Sequence, residues 1–360
     1  MSDPRELRLA RVREGIAALH LDGLLVTSLP NIRYLTGFSG SNALAVVTSH
    51  ELLLLTDFRY AAQVKAEVGA FAEVRVEAAS LWGRLWQWLA RPGLHRLGFE
   101  SAHLTHADTQ RFVDAGRDWR WEPTVEVVES LRAQKDATEV ARIQHAVRIA
   151  EAALQATLGE IGVGMTELEV AGRLERHLRE AGSTWFPFET IVASGARAAL
   201  PHARASAKPL ARGELLLIDF GAIHDGYCSD ITRTVCVGPA GEREREVHAI
   251  VRGATEGASA HVRAGMRGRD ADALARDYID RLGFGAQFGH SLGHGIGLEI
   301  HEAPRLAKTA EALLPTEAVV TVEPGIYIEG WGGVRIEDDV HLTSEGAAVL
   351  TSFTRELLEL

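Results

Sequence analysis

The sequence predicts an α+β protein of two domains: a smaller N-terminal α/β domain over residues 1–130 and a larger domain over residues 131–360. Three observations predict this division. Short apolar strand runs alternate with helical stretches in the first third of the chain. A polar, hinge-like stretch, LRAQKDATE, follows. Strand-forming runs dominate from Ala318 onward, which predicts a curved antiparallel sheet with helices on its outer side.

The first domain begins with an amphipathic stretch that reaches Leu19. Apolar runs in GLLVT, NIRYLTGFSGSNALAVVTS and ELLLLTDFRY are bounded by Gly, Ser and Asn, which predicts strands of one small sheet. The run LWGRLWQWL over residues 81–89 predicts a helix. Two further strands are predicted over residues 97–100 and 125–130, and the second of them closes the domain.

The second domain opens with two predicted helices. Asp136 is followed three residues later by Glu139, and Thr166 is followed in the same way by Glu169. Each pair has the capping-box pattern that marks the start of a helix. Two more amphipathic stretches, over residues 244–262 and 270–282, lie between the central strands and a glycine-rich tract.

The candidate functional site is centred on residues 215–234, LLLIDFGAIHDGYCSDITRT. The dipeptide Asp225-Gly226 between apolar runs is a strong hairpin signal. In that hairpin Asp219 and Asp230 lie on the same face as diagonal neighbours, about 7–8 Å apart at the backbone. The alternative is that one or both are ordinary turn or strand-end residues. However, a buried aspartate costs several kcal/mol unless it is paired or binds a metal, so the hairpin calls for a cation.

More site residues follow downstream. The segment GHSLGHGIGLEIHE contains three histidines interleaved with glycines, which favours a functional cluster over isolated core residues; they are His290, His294 and His301. Glu323 comes after a β-branched run and is costly to bury without a counter-charge. In GGVRIEDDV, Arg335 and Glu337 share one face of a predicted strand. The next two aspartates are interpreted as solvated or structural.

Counting charges predicts the type of site. Asp219, Asp230, Glu323 and Glu337 would bring four negative charges together beside neutral His294. Two divalent cations balance them, whereas without metal the carboxylates would raise one another's pKa values. Ligands rich in carboxylate with one imidazole suit manganese, cobalt or zinc. Two such metals can hold a bridging hydroxide and stabilise a tetrahedral intermediate, which is hydrolase chemistry.

Composition excludes several other classes. The formal net charge of −11 disfavours nucleic acid and anionic membranes as partners. Cys228 and Cys236 are the only cysteines and form no CxxC motif, which is typical of a reducing compartment. The charged start MSDPRELRLARVREG lacks an apolar signal-peptide core, and no run approaches the ~18 apolar residues of a membrane span. We therefore expect a cytoplasmic protein.

The segments IVASGARAALPHARAS, LLLIDFGAIHDGYCSDITRT, GHSLGHGIGLEIHE, TVEPGIYI and GGVRIEDDV resemble the pita-bread metallopeptidases. This family comprises methionine aminopeptidases, Xaa-Pro aminopeptidases and Xaa-Pro dipeptidases (prolidases). NIRYLTGFSGSNA and LLTDFRY resemble the creatinase-type N-terminal domain of the proline-specific branch, which methionine aminopeptidases lack. The resemblance implies a C-terminal pita-bread domain behind a smaller creatinase-N-like domain, and it covers nearly the whole chain.

The resemblance also implies site roles. The five metal ligands would be Asp219, Asp230, His294, Glu323 and Glu337, holding two divalent ions with manganese preferred and cobalt or zinc as alternatives. They would activate a bridging hydroxide, with Glu323 as its general base.

Further roles concern the substrate. His301 and His290 would hydrogen-bond the carbonyl or oxyanion, and His202 would contact the substrate near the scissile bond or assist the leaving nitrogen. Arg335 would pair with a ligand carboxylate at the substrate site. Most proteins of this architecture are homodimers, so the N-terminal domain is expected to serve dimerisation and site access.

The preferred function is hydrolysis of Xaa-Pro dipeptides. A dipeptidase needs a cation for the free proline carboxylate, and Arg305, four residues after His301, is the candidate. The alternative is an Xaa-Pro aminopeptidase, which acts on longer peptides and leaves that side open. More remote alternatives are a metal-free creatinase-like enzyme or a binding protein. Retention of all five ligands argues against both.

Overall fold

A computed structural model describes residues 3–115 and 119–360, and the chain divides into two compact units, Met1–Arg132 and Ala133–Leu360. The helices of the first unit are α1 (Pro4–Ala18), α2 (Leu29–Thr36), α3 (Ala61–Glu67), α4 (Leu81–Leu89), α5 (His106–Asp114) and α6 (Glu129–Arg132). Its strands are β1 (Gly23–Val26), β2 (Ala43–Thr48), β3 (Leu52–Asp57), β4 (Glu73–Glu77), β5 (Arg96–Glu100) and β6 (Arg120–Thr124).

These strands form one mixed sheet in the order β4-β3-β2-β1-β5-β6. Strands β1 and β2 are buried at every position, which explains why they appear in the sequence as unbroken apolar runs rather than alternating patterns. The predicted helix over residues 81–89 is confirmed as α4. The predicted strand over residues 125–130 is wrong. Glu126 has a φ of +58° and Val125 is exposed, so the last strand of the sheet is β6 instead.

The second unit contains four long helices: α7 (Ala137–Leu158), α8 (Glu167–Glu180), α9 (Glu242–His261) and α10 (Gly268–Arg281). Both predicted capping boxes are present, at the starts of α7 and α8. Its strands are β7 (Ile191–Ser194), β8 (Leu215–Phe220), β9 (Ile223–His224), β10 (Tyr227–Cys228), β11 (Ile231–Cys236), β12 (Gly293–Gly295), β13 (Glu302–Leu306), β14 (Val319–Val322), β15 (Gly325–Ile328), β16 (Gly332–Arg335), β17 (Asp338–Leu342) and β18 (Ala347–Val349).

Two larger sheets organise this unit, and each is covered by one pair of helices. The sheet β11-β8-β7 packs against α7 and α8, and the sheet β13-β12-β14-β17-β18 packs against α9 and α10. Leu216, Ile218 and Phe220 of β8 belong to the first of these cores. Because side chains alternate along a strand, Asp219 points to the opposite face, away from the helices.

The second sheet has the same arrangement. Val320 and Val322 of β14 face the core formed with α9 and α10, so Thr321 points to the other side. The faces of the two sheets that point away from these helix pairs therefore carry polar side chains in otherwise apolar strands. None of the described helices is both long and apolar enough to cross a lipid bilayer.

Candidate metal centre

The hairpin that carries two of the predicted ligands has the expected register. Asp225 and Gly226 have φ values of +46° and +78°, as a turn with two left-handed central residues requires. Cys228 pairs with Ile223 across β9 and β10, and Thr232 pairs with Asp219 across β11 and β8. The register therefore continues through the whole hairpin, and it places Asp219 and Asp230 on one face.

The other sheet supplies three side chains from β12, from the end of β14 and from the residue before β17. Ligand atoms of Asp230, His294 and Glu337 all lie within 4.8 Å of one another. The His294 Nε2 atom is 3.7 Å from Asp230 Oδ2 and 3.6 Å from Glu323 Oε1. The structure thus brings side chains from both sheets together, although they are far apart in the sequence.

The hydrogen bonds of His294 determine which nitrogen can act as a ligand. Its Nδ1–H donates to the carbonyl oxygen of Gly295 over 3.0 Å. The Nε2 lone pair is consequently the one directed at the carboxylates. Burial lowers the pKa of His294 to about 4, so the ring is neutral at physiological pH. This is the protonation state that metal coordination needs.

The carboxylates fit divalent cations and fit poorly without them. Oδ1 of Asp219 and Oδ1 of Asp230 are buried and accept no hydrogen bond within the described part of the chain. Burial and the neighbouring carboxylates raise the pKa of Asp230 and of Glu337 well above their usual range. Burial likewise raises the pKa of Glu323 to about 8. A hard divalent cation would bind the carboxylate oxygens that lack hydrogen-bond partners, and its positive charge would offset the repulsion between the carboxylates.

Arg335 connects several parts of the site. Its Nη2 pairs with Asp219 Oδ2, and its Nε donates to Thr232 Oγ1 over 3.1 Å. Its Nη1 donates to the Tyr327 hydroxyl over 2.7 Å and to the Pro201 carbonyl over 3.2 Å. The guanidinium is buried, and every nitrogen has an acceptor within the protein. Arg335 therefore holds side chains and loop backbone in fixed relative positions.

His290 is the end of a short hydrogen-bonded chain. Its Nδ1–H donates to the Ser291 carbonyl over 2.8 Å, and its Nε2 accepts from the Tyr327 hydroxyl over 2.8 Å. Burial raises the pKa of Tyr327 to about 12, which keeps this phenol protonated as a donor. Both ring nitrogens of His290 are thus engaged within the protein, and no N–H of this histidine is left to donate to a substrate.

The remaining predicted residues are more open to solvent. His301 is exposed, and its ring packs edge-on against His294 with centroids 4.3 Å apart. Burial of part of the ring lowers the pKa of His301, Asp219 opposes this shift, and His202 adds to it. His202 itself is exposed and follows Pro201. Arg305 is exposed on β13, directly across from His294, and no ion pair or hydrogen bond engages its guanidinium among the residues described.

Sequence reasoning missed Thr232 as a contributor to the site and left the next two aspartates, Asp338 and Asp339, open between a solvated and a structural role. Thr232 Oγ1 donates to Glu337 Oε2 over 2.6 Å. Asp339 is fully buried, and its Oδ2 accepts from the Asp230 backbone N–H over 3.1 Å. Asp338 is also buried, where it forms ion pairs with two arginines. The two aspartates are therefore structural and not solvated. The apolar residues nearby in the sequence, Ile336 and Val340, were the available signal.

Comparison with known proteins agrees with this geometry. The profile of metallopeptidase family M24 matches residues 141–344, and that of the creatinase/prolidase N-terminal domain matches residues 8–134. The chain is 43% identical to a Xaa-Pro dipeptidase of Pyrococcus furiosus over 262 residues, which is 73% of this chain and 75% of that protein.

Solved structures are similar over nearly the full length. The structure of a Xaa-Pro dipeptidase from Bacillus anthracis has a TM-score of 0.95 and 41% identity, covering 99% of this chain and 100% of the other. An X-Pro aminopeptidase from Thermotoga maritima has a TM-score of 0.91 and 37% identity, covering 98% and 99%.

These matches confirm the predicted fold class, a pita-bread domain behind a creatinase-type N-terminal domain. Membership of such a family implies divalent metal ions. The chain belongs to metallopeptidase family M24 and is a hydrolase of the branch that carries the creatinase/prolidase N-terminal domain.

Proposed function

We propose that this chain hydrolyses the peptide bond before proline in Xaa-Pro dipeptides. The observation that carries the proposal is the convergence of carboxylates from both sheets on one neutral imidazole, with Oδ1 of Asp219 and Oδ1 of Asp230 accepting no hydrogen bond from the described residues. Asp219, Asp230, His294, Glu323 and Glu337 would hold two divalent ions. Manganese is the preferred metal, with cobalt or zinc as alternatives, because all three accept carboxylate and imidazole ligands.

When bound, the two ions would supply an activated water and positive charge opposite the developing oxyanion. The proton released from that water needs an acceptor. Glu323 is suited to this role because its Oε1 faces His294 and Thr321, while its Oε2 accepts no hydrogen bond from the described residues and is 4.0 Å from His290 Nδ1. Glu323 Oε2 is thus the atom on which we place the transferred proton.

His301 is the histidine that donates to the substrate carbonyl. Unlike His290, it is exposed and has no hydrogen bond that occupies its ring within the described residues. The role of His290 is then to shape the apolar slot for the proline ring, with its orientation fixed by Tyr327. His202 assists the leaving nitrogen. The prolyl nitrogen of the scissile peptide bond carries no hydrogen, so a hydrogen-bond acceptor beside it would make no contact with the bound substrate.

Arg305 is proposed to bind the free carboxylate of the dipeptide. It is exposed, it lies across from His294 in the sheet, and its guanidinium has no partner in the described chain. A guanidinium matches the two oxygens of a carboxylate. The alternative function, an Xaa-Pro aminopeptidase, is favoured by the likeness to the Thermotoga maritima structure, and such an enzyme would not need this contact.

The test uses Ala-Pro and Ala-Pro-Ala as substrates of chelator-stripped protein, with and without added manganese. We expect cleavage of Ala-Pro that depends on metal and that Arg305→Ala weakens mainly through KM. Preference for Ala-Pro-Ala would make the chain an Xaa-Pro aminopeptidase. Cleavage of both substrates at full rate after chelation would refute the metal centre. If neither were cleaved with any of the three metals, the peptidase proposal would be wrong.

Two further proposals concern the cellular form. The sequence contains only two cysteines, Cys228 and Cys236, which form no CxxC motif and are both buried, and this sparse use of cysteine favours a reducing, cytoplasmic location. A homodimer is proposed on the resemblance of the first domain, with that domain serving dimerisation and access to the site. Sedimentation equilibrium of the full chain tests the dimer, and a monomer at micromolar concentration would contradict it.

A further inference from the structure

Lys135 is a buried charged residue that the proposed mechanism does not use. It lies in the polar stretch before α7, and its Nζ is 2.8 Å from Glu302 Oε1. The Lys135 side chain is 1% exposed and that of Glu302 is 7% exposed. Burying two charges costs about as much as their attraction returns, so such a pair is weak support for stability in itself. Its position in the fold suggests a more specific use.

Glu302 directly follows His301 and begins strand β13, where it pairs with Gly295. Its carboxylate also lies against Gly297, because a Cβ built on that glycine would be 2.2 Å from Glu302 Oε1. The loop between these residues is fixed at its other end, since the Gly297 carbonyl accepts from the Cys228 N–H over 2.8 Å. The Glu302 carboxylate is therefore the point at which the end of the loop next to His301 is held.

The other half of the pair is attached to rigid structure. The Lys135 N–H donates to the Glu317 carbonyl over 2.9 Å. The next residue, Asp136, is the N-cap of α7, and its own N–H donates to Glu139 of the capping box. Glu139 in turn accepts from the buried Tyr227 hydroxyl over 2.9 Å. The Lys135 ammonium thus extends from the fixed start of a long helix and can serve as a fixed contact for Glu302.

We infer that Lys135 is a positioning residue for His301. By holding Glu302, it fixes the backbone from which the His301 ring reaches the edge of His294. The catalytic consequence depends on the proposed function, because it assumes that His301 contacts the substrate carbonyl. The inference that Lys135 fixes the position of the His301 ring does not depend on the proposed function. A catalytic group displaced by about 1 Å can lose about 100-fold in rate, so a remote ion pair can control the chemistry.

The test compares a neutralised pair with matched controls. Lys135→Met alone removes the ammonium beside a buried carboxylate and could prevent folding, so the main variant is Lys135→Met/Glu302→Gln. Val251→Ala on α9 is the control for lost stability, because it removes buried volume in the core between α9 and the helix-covered face of the sheet that contains β13. His301→Ala and the triple variant complete a cycle that asks whether Lys135 acts through His301.

For Ala-Pro hydrolysis we expect the double variant to lose about 10- to 100-fold in kcat, with KM changed by less than about twofold. Added to His301→Ala, the same two changes should cost less than about twofold more. The control Val251→Ala should keep kcat. Full kcat in the double variant, or equal losses with and without His301, would overturn the inference.

A second measurement does not need activity. In protein labelled with ¹³C-histidine, the His301 ring signal is identified by its absence from His301→Gln. Its chemical shift depends on the ring current of His294, whose centroid is 4.3 Å away. We expect this signal to move or broaden in the double variant but not in Val251→Ala. An unchanged signal refutes the positioning role even if no peptide is cleaved. A shifted signal without any peptidase activity refutes only the proposed function.

Discussion

Replacing Thr232 by valine should weaken metal binding without changing the shape of the site. Thr232 is fully buried, and its hydroxyl donates to Glu337 Oε2 over 2.6 Å and accepts from Arg335 Nε over 3.1 Å. Valine keeps the volume of threonine and removes both hydrogen bonds. A hydrogen bond to a charged group contributes about 1.5–3 kcal/mol. Since about 1.4 kcal/mol corresponds to tenfold in affinity, we expect manganese to bind about 10- to 100-fold more weakly.

The control is Thr157→Val. Thr157 is equally buried in the same unit, but its hydroxyl donates only to the Ala153 carbonyl of its own helix, over 2.7 Å. The measurement is isothermal titration of chelator-stripped protein with manganese, for wild type and both variants. Thr157→Val should bind as wild type does. If Thr232→Val bound manganese as tightly as Thr157→Val, the reasoning that Thr232 positions Glu337 as a ligand would be refuted.

Two other predictions concern pH and backbone packing. Burial lowers the pKa of His248 from 6.5 to about 4, so the folded state keeps this ring neutral and loses stability as pH falls below 6.5. At pH 5 the loss is about 2 kcal/mol, and urea unfolding with chelator should show that His248→Gln escapes it; equal losses in both proteins would contradict this. In Gly333→Ala the new Cβ would be 2.1 Å from the Ala198 carbonyl oxygen, so the turn leading to the His202 loop must move. We expect kcat/KM for Ala-Pro to fall about tenfold or more as a result. Gly172→Ala, which meets no atom within 4 Å on α8, should instead gain about 0.5–1 kcal/mol, and wild-type activity in Gly333→Ala would contradict the packing argument.

Local signals in the sequence were sufficient for the hairpin and the helix starts. The dipeptide Asp225-Gly226 fixes the turn, and the turn fixes the register through to Thr232 and Asp219. The capping box at Asp136 marked the beginning of α7 because its hydrogen bonds join residues three positions apart. Interactions of this range can be inferred from spacing alone.

Contacts between distant strands could not be inferred in this way. Nothing near Thr232 indicates that its hydroxyl meets Glu337, which is 105 positions later. The same holds for Lys135 and Glu302, whose sequence separation is 167 residues. The strand predicted over residues 125–130 was wrong because Val125 is exposed and Val128, although buried, belongs to no strand of the sheet. The local sequence pattern indicates which secondary structure a segment favours, whereas contacts with distant strands decide which structure it adopts.

The division of the proposed ligands between two sheets has a consequence for how the metal is chosen. Asp219 and Asp230 come from one sheet, and the other three side chains come from segments beginning at His294. Until both sheets have folded, the five side chains are not held together, so the geometry that selects a metal exists only in the folded domain. A single proteolytic cut between residues 236 and 293 would likewise leave each fragment with an incomplete set. Metal binding would therefore distinguish an intact, folded domain from a cleaved or unfolded one.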